Sequence, residues 1–343
     1  MVHVPLRLKL DGDALVTNYR WLQGRGGGAA CGAAIKADGY GLGARDVVQR
    51  LAEAGCRDFF VATWAEAEAL MPWSNGLNLS VLHGVGEEDM PTALSSPARP
   101  VLNSPQQIDR WSRTDRPCDV MIDTGINRLG LPAAEAGELI KSVRIETLMS
   151  HLACADEDVP ANERQRRDFI RAAAGAKAKR VSLANSAGVC LGADYAFDLT
   201  RPGLALYGGI PRREAEGHIK PVVRIEAQIV QRRRVERNEG VGYNHVFRAE
   251  RPHELAILNL GYADGYLRGF SGTGRARLSK GFAPVVGRVS MDLTAVCVDD
   301  SPQLREGDWM EIDYDLASAS AQSGLSPYEL LTGLGDRFER CWV

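Results

Sequence analysis

The chain has 343 residues, of which 45% are hydrophobic and 25% charged, and its formal net charge at pH 7 is −3. This length allows one large barrel and a second module. The chain has no basic excess and no apolar stretch of about 18 residues, which argues against nucleic-acid binding and membrane insertion. The N-terminus lacks the apolar core of a signal peptide, and the seven scattered cysteines form no Cys-x-x-Cys pair. We therefore expect a cytoplasmic protein without a bound metal, since dispersed thiols are typical of a reducing compartment.

Short apolar runs alternate with amphipathic stretches from about residue 32 to residue 207, after a predicted helix over 11–22. Helical patterns between the runs cover 44–54, 64–71, 132–141 and 161–177. The apolar runs end near Lys36, Thr63, His83, Leu102, Asp123, His151, Ala184 and Tyr207. This alternation predicts an α/β fold with an N-terminal (β/α)8 TIM-like barrel, whose chemistry lies at the C-terminal ends of the strands.

Beyond the barrel the pattern changes. Residues 208–220 are rich in glycine, proline and charge and are typical of a linker. Strand-type alternation follows over 222–230, 254–260, 284–296 and 309–312, which predicts a mainly-β C-terminal domain. The predicted domain bounds are 8–215 for the barrel, and 216–343 with residues 1–7 for the second domain.

Lys36 ends the first apolar run, four residues before Tyr40, and Gly39 and Gly41 flank that tyrosine. A strand end brings the amine to a fixed point, and a glycine-rich turn lets a ligand approach the backbone closely. An amine kept partly neutral by a pocket can form a Schiff base, which is how pyridoxal phosphate is held. A lysine at a strand end is more often simply solvated, so this segment alone does not establish a function.

Other strand ends also carry polar residues. Arg128 follows an Asp-Thr-Gly turn and could present its guanidinium to an anionic oxygen or cap the turn. His151 suits a functional imidazole and a hydrogen-bonded core imidazole equally well. Asn185 and Ser186 precede Ala-Gly at a helix start, a pattern that fits a phosphate seat and also a plain helix N-cap.

The remaining segments of interest are Arg201-Pro202-Gly203 and, in the second domain, Ser290-Met291-Asp292 and two tyrosines framed by glycines, Tyr243 and Tyr262. Taken singly, each of these tyrosines is more often a structural aromatic residue than a base.

In this order the segments resemble bacterial alanine racemases, which are fold-type III pyridoxal phosphate enzymes. The resemblance runs from Lys36 to about Arg340. The blocks that carry it are Lys36, Asn127-Arg128-Leu129-Gly130, Arg201-Pro202-Gly203, Gly261-Tyr262-Ala263-Asp264-Gly265 and Ser290-Met291-Asp292. It implies pyridoxal 5'-phosphate as cofactor, a small amino acid as substrate and interconversion of L- and D-alanine for peptidoglycan. It also implies a homodimer whose active sites are shared between the subunits.

The resemblance further implies a role for each site residue. Lys36 would hold the cofactor and act as the base on one face of the substrate, and Tyr243 of the partner subunit would be the base on the other face. The implied cofactor contacts are Lys36, Tyr40, His151, Asn185, Ser186, Arg201, Gly203 and Leu204. The implied substrate contacts are Arg128, Met291, Tyr262 and Asp292, with Arg268 in support.

Arg201 matches the arginine that faces the pyridine nitrogen of the cofactor. An arginine cannot accept a proton, so this nitrogen stays unprotonated and the ring withdraws electrons more weakly, which favours racemisation. The related decarboxylases have a carboxylate there. A tyrosine with an ordinary pKa near 10 is a poor base at neutral pH. The family therefore implies an arrangement of Tyr243, His151 and Arg268 that lowers this pKa.

The chain departs from the family pattern at several places. Met121 stands where many members have a lysine, often carbamylated, that orients the arginine matching Arg128. Asn244 stands where glycine is common, and residues 332–337 offer no tyrosine to bond Tyr262. Strict alanine specificity is therefore open, and so is the choice between a biosynthetic and a catabolic role. The alternatives are a serine or broad-specificity racemase and a non-catalytic pyridoxal phosphate-binding protein, while Arg201 argues against a decarboxylase.

Overall fold

The structure, a computed structural model, describes residues 3–73 and 76–343. These residues form two compact units: Leu15–Lys220, and the described residues up to Ala14 together with Pro221–Val343. Of residues 1–7, which we assign to the second domain, residues 1 and 2 lie outside the described part of the chain. Strand β1 (Leu6–Leu10) belongs to the second unit and is described with it.

The barrel unit alternates strands and helices along the chain. Its strands are Ala30–Cys31 (β2), Ala33–Ala34 (β3), Asp58–Val61 (β4), Asn78–Val81 (β5), Arg99–Leu102 (β6), Pro117–Asp123 (β7), Leu131–Pro132 (β8), Arg144–Met149 (β9), Ala178–Ser182 (β10) and Leu199–Thr200 (β11). The helices up to its end are Gly12–Arg25 (α1), Lys36–Tyr40 (α2), Ala44–Glu53 (α3), Trp64–Ala69 (α4), Met90–Ser95 (α5), Pro105–Ser112 (α6), Ala133–Leu139 (α7), Pro160–Ala174 (α8) and Ser186–Cys190 (α9).

The strands of this unit close into a parallel barrel. They are hydrogen-bonded in the order β10-β9-β7-β6-β5-β4-β3, and β11 pairs in parallel with β2, which directly precedes β3. The circle closes where Asp198 N–H donates to Val181 O (3.1 Å) and Arg201 N–H donates to Ala184 O (2.8 Å). Counting β2 and β3 as one position, the described residues form eight parallel barrel strands, so the predicted (β/α)8 fold is confirmed.

Large apolar side chains fill the interior of the barrel, because inward-facing residues of adjacent parallel strands pack in layers. One buried cluster consists of Phe60, Val101, Met121, Met149 and Leu199.

A polar network lies nearer the N-terminal ends of the strands. Arg180 donates to both oxygens of Asp58 (2.6 and 3.0 Å), and Ser80 donates to the buried Asp119 (2.6 Å). The Arg99 Nε lies 3.6 Å from Asp119 Oδ1. Burial raises the pKa of the Asp119 carboxyl, and the nearby arginines oppose this rise.

One predicted strand is misplaced. The last barrel strand is β11 (Leu199–Thr200), whereas Leu204–Tyr207 forms a 3-10 helix instead of the strand expected to end near Tyr207. Pro202 has no N–H for a strand ladder, and all of Leu204–Tyr207 is buried. The apolar run therefore reflects burial and not a strand. Other 3-10 helices are Ile140–Ser142, Ala193–Tyr195, Arg213–Ala215, Tyr243–His245, Tyr262–Asp264 and Arg268–Phe270.

The second unit is mainly β, as predicted. After β1 its strands are Val223–Val235 (β12), Gly240–Val241 (β13), Phe247–Arg248 (β14), His253–Leu258 (β15), Arg275–Arg277 (β16), Phe282–Pro284 (β17), Thr294–Cys297 (β18), Trp309–Ile312 (β19) and Glu339–Trp342 (β20). Its two described helices are Leu316–Ser323 (α10) and Pro327–Thr332 (α11). The main sheet has the order β17-β16-β19-β12-β1-β20, and β15 joins β12 to β18.

Strand β1 shows why N-terminal residues belong to this sheet. It pairs antiparallel with β12, where Leu8 faces Ile225, and parallel with β20. Leu6, Leu8 and Leu10 are buried at alternate positions, as the period of a strand requires.

None of the helices within residues 3–73 and 76–343 combines the length and apolarity needed to cross a membrane. The cysteines, all of them among the described residues, are free thiols, and Cys31, Cys56, Cys118 and Cys190 are buried.

One described group of side chains, His253, Cys297 and Asp299, has donor atoms within 4.8 Å of one another, close enough to share a metal ion. The carboxylate of Asp299 is already paired with His253 Nδ1 (2.8 Å) and Arg251 (2.9 Å). Its other oxygen accepts from the Glu254 N–H (2.7 Å).

Candidate active site

The polar residues expected in the barrel lie where the strands end. Lys36 follows β3, Arg128 follows β7, and His151 follows β9. Ser186 begins α9 after β10, and Arg201 directly follows β11. Lys36, Arg128 and Arg201 all act on the pKa of His151 through their charges. The barrel therefore brings these residues to one end, as the strand pattern predicts.

Lys36 opens a turn of unusual handedness. Ala37, Asp38, Gly39 and Tyr40 have φ values of +51°, +51°, +64° and +57°, so the chain follows a left-handed helical path directly after the lysine. A non-glycine residue in this region costs about 1–2 kcal/mol, because its Cβ approaches the following carbonyl oxygen. Strain of this kind persists only where surrounding structure holds it, and it concentrates at functional sites.

The Lys36 side chain is half-buried. Burial lowers the pKa of its ammonium group, the charge of Arg128 lowers it further, and the carboxylate of Glu66 opposes both effects. A lowered pKa increases the share of neutral amine, which is the nucleophilic and basic form. This is the property that the sequence reasoning requires of Lys36.

At neutral pH His151 is uncharged, whereas Arg201 carries its positive charge. Burial, assisted by the charges of Arg201, Arg128 and Lys36, lowers the pKa of the His151 imidazole to about 3, so this ring is neutral at physiological pH. Arg201 is buried, and its guanidinium donates to Ser182 Oγ and to Ser150 O. Burial lowers the pKa of Arg201 to about 10, which still leaves it charged at neutral pH.

Ser186 and Gly203 form a small polar cradle beside Tyr40. Ser186 Oγ accepts from the N–H groups of Gly203 (2.9 Å) and Ala205 (3.2 Å), which leaves its own hydroxyl proton to donate elsewhere. A Cβ on Gly203 would lie 2.2 Å from Tyr40 Oη, so only glycine fits there. The Tyr40 ring is fixed by stacking on Tyr207, with centroids 4.6 Å apart. Two hydroxyls beside a glycine, whose missing side chain allows close approach, suit a phosphate group.

Asn185 has a structural role in this region. Its Oδ1 accepts from the Gly188 N–H (2.9 Å), so it is the N-cap of α9. The side chain of Asn185 is therefore a helix cap, one of the two roles that the sequence left open. Its contact with the cofactor stays a prediction. Leu204 is buried at the start of the following 3-10 helix.

Arg128 follows a turn that the carboxylate of Asp123 stabilises. Asp123 Oδ1 accepts from the N–H groups of Gly125 (2.8 Å), Ile126 (3.0 Å) and Asn127 (3.2 Å), and Arg128 is exposed at the end of this turn. Met121, in contrast, is buried in the apolar cluster of the barrel interior. Its thioether supplies no anion for the guanidinium.

In the second unit, the segments around Tyr262 and Met291 are fastened together. Tyr262 N–H donates to Ser290 O, and Ala263 N–H donates to Met291 O, both at 3.0 Å. A Cβ on Gly261 would lie 2.3 Å from Met291 O, so glycine is required for this approach.

Arg337 connects the same two segments by a hydrogen bond to one carboxylate of each. It donates to Asp264 Oδ1 and to Asp292 Oδ1, both at 2.7 Å. Asp264 is buried, and its other oxygen accepts from the Gly261 N–H (2.9 Å). The sequence of 332–337 indicates the absence of a tyrosine but does not indicate this role of Arg337. A basic residue opposite a buried aspartate has no local sequence signal.

Tyr243 is 63% exposed on a 3-10 turn. Asn244 there has φ +61°, a left-handed conformation that asparagine tolerates better than most residues. This explains how it can replace the glycine common in the family. The guanidinium of Arg268 lies 5.3 Å from the centre of the Tyr262 ring, a cation–π contact. The predicted support of Tyr243 by His151 and Arg268 stays a prediction.

A parallel barrel with an amine, an imidazole and guanidinium groups at the C-terminal ends of its strands, together with a separate mainly-β unit, is the arrangement expected from the resemblance to fold-type III enzymes. Comparisons with known proteins make the assignment specific. The family model for the alanine racemase N-terminal domain matches residues 10–211, and that for the alanine racemase C-terminal domain matches residues 222–342. The chain therefore belongs to the alanine racemase family, which confirms the resemblance found in the sequence.

Individual relatives match over nearly their whole length. The biosynthetic alanine racemase of Agrobacterium fabrum is 40% identical over 99% of this chain and 94% of the relative. The catabolic alanine racemase of Mesorhizobium japonicum is 39% identical over 98% and 93%. The crystal structure of alanine racemase from Bartonella henselae, with covalently bound pyridoxal phosphate, is 35% identical with a TM-score of 0.92. The two structures align over 99% of this chain and 100% of the Bartonella henselae chain.

Proposed function

We propose that this chain is a pyridoxal phosphate-dependent alanine racemase, an isomerase that interconverts L- and D-alanine and supplies D-alanine for peptidoglycan in the cytoplasm. The observation that carries the proposal is the half-buried Lys36 amine, whose pKa is lowered, at a barrel end shared with Arg128, His151 and Arg201. Full-length similarity to alanine racemases supports it.

The residues of the barrel end fit this cofactor. Lys36 would hold it covalently, while the hydroxyls of Tyr40 and Ser186 and the backbone at Gly203 and Leu204 would bind its phosphate. The glycine-dependent cradle at Gly203 supports this placement, because a side chain there would fill the space next to Tyr40 Oη. When bound, pyridoxal phosphate supplies a ring that withdraws electrons from the substrate Cα.

Other barrel residues would shape the ring site. The neutral imidazole of His151 would pack against the cofactor ring, and the charged Arg201 would face the pyridine nitrogen. A charged guanidinium only donates hydrogen bonds, so Arg201 would favour the unprotonated, accepting form of this nitrogen. Asn185 would contribute through its cap on α9, which fixes Ser186.

Racemisation needs a base on each face of the substrate Cα. Lys36 would remove or return the proton on one face, and Tyr243 of the partner subunit would do so on the other. Arg128 and the Met291 N–H would bind the substrate carboxylate, and Tyr262 would narrow the entrance. Asp292 would orient the Met291 loop, a role that its hydrogen bond from Arg337 supports.

The proposal is tested by measuring D-alanine formation from L-alanine with purified, cofactor-loaded protein, with L-serine alongside. We expect rapid alanine turnover and its loss in Lys36→Ala, together with loss of the absorbance of the bound cofactor. Serine turnover equal to that of alanine would favour the broad-specificity alternative, which the missing tyrosine in 332–337 motivates. A Lys36→Ala protein that still racemises alanine would refute the assignment, and absence of turnover with cofactor bound would favour a binding protein.

We also propose a homodimer with shared active sites. Tyr243, Val246, Met291 and Leu293 are all at least 40% exposed in the second unit, and such apolar exposure is typical of a surface that another chain covers. Mixing inactive Lys36→Ala and Tyr243→Phe subunits tests this. If the bases come from different subunits, random mixing restores about a quarter of the activity, because half of the dimers are mixed and half of their sites are intact. No recovery from a mixture shown to exchange subunits would exclude sharing.

A further inference from the structure

The carboxylate of Glu66, on α4, joins two loops at the active end of the barrel. Its Oε1 accepts from the Ala37 N–H (2.8 Å), and its Oε2 accepts from the N–H groups of Ala62 (2.6 Å) and Thr63 (3.3 Å). Ala37 directly follows Lys36 and is the first residue of the left-handed turn. A side chain in the first turn of α4 therefore holds the strained backbone that directly follows Lys36.

Other hydrogen bonds hold the later part of this turn. Gly39 N–H donates to Ile35 O, Gly41 N–H donates to Ala37 O, and Ala44 N–H donates to Asp38 Oδ1, each at 2.8 Å. At the first strained residue the acceptor is Glu66. A hydrogen bond to a carboxylate is roughly twice as strong as one between neutral groups, so Glu66 is suited to hold a residue in an unfavourable conformation.

The same carboxylate acts on the Lys36 amine by charge. Arg128 repels the ammonium form, Glu66 attracts it, and the neutral His151 and the buried Arg201 lie at the same barrel end. We propose that Glu66 is a positioning residue, which fixes the Lys36 amine by anchoring the turn behind it and offsets the charge of Arg128. This inference rests on the proposed role of Lys36.

Glu66 also caps its own helix, and this structural role must be separated from the proposed one. It completes a capping box with Thr63, whose Oγ1 accepts from the Glu66 N–H (3.2 Å). The bond from Ala37 is not part of that box. Thr63→Ala removes half of the box and leaves the Ala37 bond in place, while Glu68→Gln changes an exposed carboxylate on the same helix.

The first measurement is amide hydrogen exchange of residues 37–41 in the cofactor-loaded protein. In Glu66→Gln, the amide presents only one oxygen for donors on both sides. We expect exchange at Ala37 to become roughly ten- to a hundredfold faster. Thr63→Ala and Glu68→Gln should leave it unchanged. Unchanged exchange in Glu66→Gln would overturn the proposal, because the carboxylate would then not hold the turn.

The second measurement is the pH dependence of the reaction of Lys36 with pyridoxal phosphate, using the full chain stripped of cofactor. Loss of the anion should shift the midpoint in Glu66→Gln to lower pH, and Thr63→Ala should show no shift. Glu66→Asp serves if Glu66→Gln does not fold: it keeps the charge but shortens the reach, so exchange at Ala37 should rise while the midpoint moves less. A Glu66 variant that lowers stability as Thr63→Ala does, with exchange and midpoint both unchanged, would reduce Glu66 to a helix cap. Neither readout depends on racemase activity, which tests the proposed function separately.

Discussion

Gly203→Ala tests the phosphate cradle with the smallest possible change. A Cβ at this position would lie 2.2 Å from Tyr40 Oη and 2.9 Å from Tyr40 Cζ, both shorter than ordinary contacts. The backbone of Gly203 has φ −129°, outside the left-handed region that glycine favours, so we expect the main effect to come from the contact of the new Cβ with Tyr40. Tyr40 cannot move freely, because it is buried and stacked on Tyr207.

Overpacking of this kind costs about 1–3 kcal/mol. If the phosphate needs Tyr40 and the backbone at Gly203 in place, any displacement of Tyr40 that relieves this contact in the cofactor-free protein must be reversed on binding. Pyridoxal phosphate should then bind up to roughly 5- to 150-fold more weakly. Titration of cofactor-free full-length protein, followed by the cofactor's absorbance, measures the change. Gly137→Ala is the matched control: this helix residue has open space around its Cβ position, so affinity should not change.

The double variant Gly203→Ala/Tyr40→Phe sharpens the test. Removing the hydroxyl abolishes the 2.2 Å contact but leaves the 2.9 Å contact to Cζ. The two substitutions should therefore be non-additive, with the double variant binding cofactor no worse than the weaker single variant. Wild-type affinity in Gly203→Ala, with a normal denaturation midpoint, would show that this cradle does not hold the phosphate.

Further predictions concern stability and substrate binding. Ala37→Gly should raise the free energy of unfolding in denaturant by about 0.5–1 kcal/mol, because glycine adopts φ +51° without strain, whereas Ala172→Gly within α8 should lower it by about the same amount. The folded-state pKa of His151, about 3, lies below its ordinary value. The unfolded chain therefore takes up the proton first, and stability falls from about pH 6.5 towards pH 3. Between these values the free energy of unfolding should fall by up to about 1.4 kcal/mol per pH unit because of His151, and His151→Gln should remove this contribution. Denaturation of both proteins at pH 7 and at pH 5 measures the difference. Arg337→Met leaves the buried Asp264 without its cation and should lower the free energy of unfolding by about 1–3 kcal/mol. In steady-state kinetics, KM for alanine should rise more than kcat falls. A second change, Asp264→Asn, should recover most of the stability.

The barrel and the location of its polar residues could be predicted because both follow from periodicity. Lys36, His151 and Ser186 each follow an apolar run, and parallel strands bring such ends to one side. The same reasoning fails where burial imitates a strand. Leu204–Tyr207 is apolar because it is buried beside the cradle, and nothing in its composition distinguishes it from the strand expected there.

Contacts that join distant polar residues could not be predicted in this way. Glu66 reads locally as part of a capping box, which is correct, but its bond to Ala37 spans 29 positions and depends on the packing of two loops. The left-handed turn is hidden for a related reason. Its strained residues include alanine and aspartate, so local propensity predicts a different backbone and tertiary contacts override it.

The departure at Met121 shows how far a family pattern can be carried over. An anion at this position would stand among Phe60, Val101, Met149 and Leu199, where burial of an unpaired charge is costly, and methionine fits this apolar cluster. The backbone of the segment before Arg128 is instead held by hydrogen bonds within its own turn, residues 123–127. Asp123 accepts these hydrogen bonds from the backbone N–H groups of the residues that lead to Arg128. Position 121 therefore contributes packing in this chain, and the backbone that leads to Arg128 is ordered by the turn that Asp123 holds.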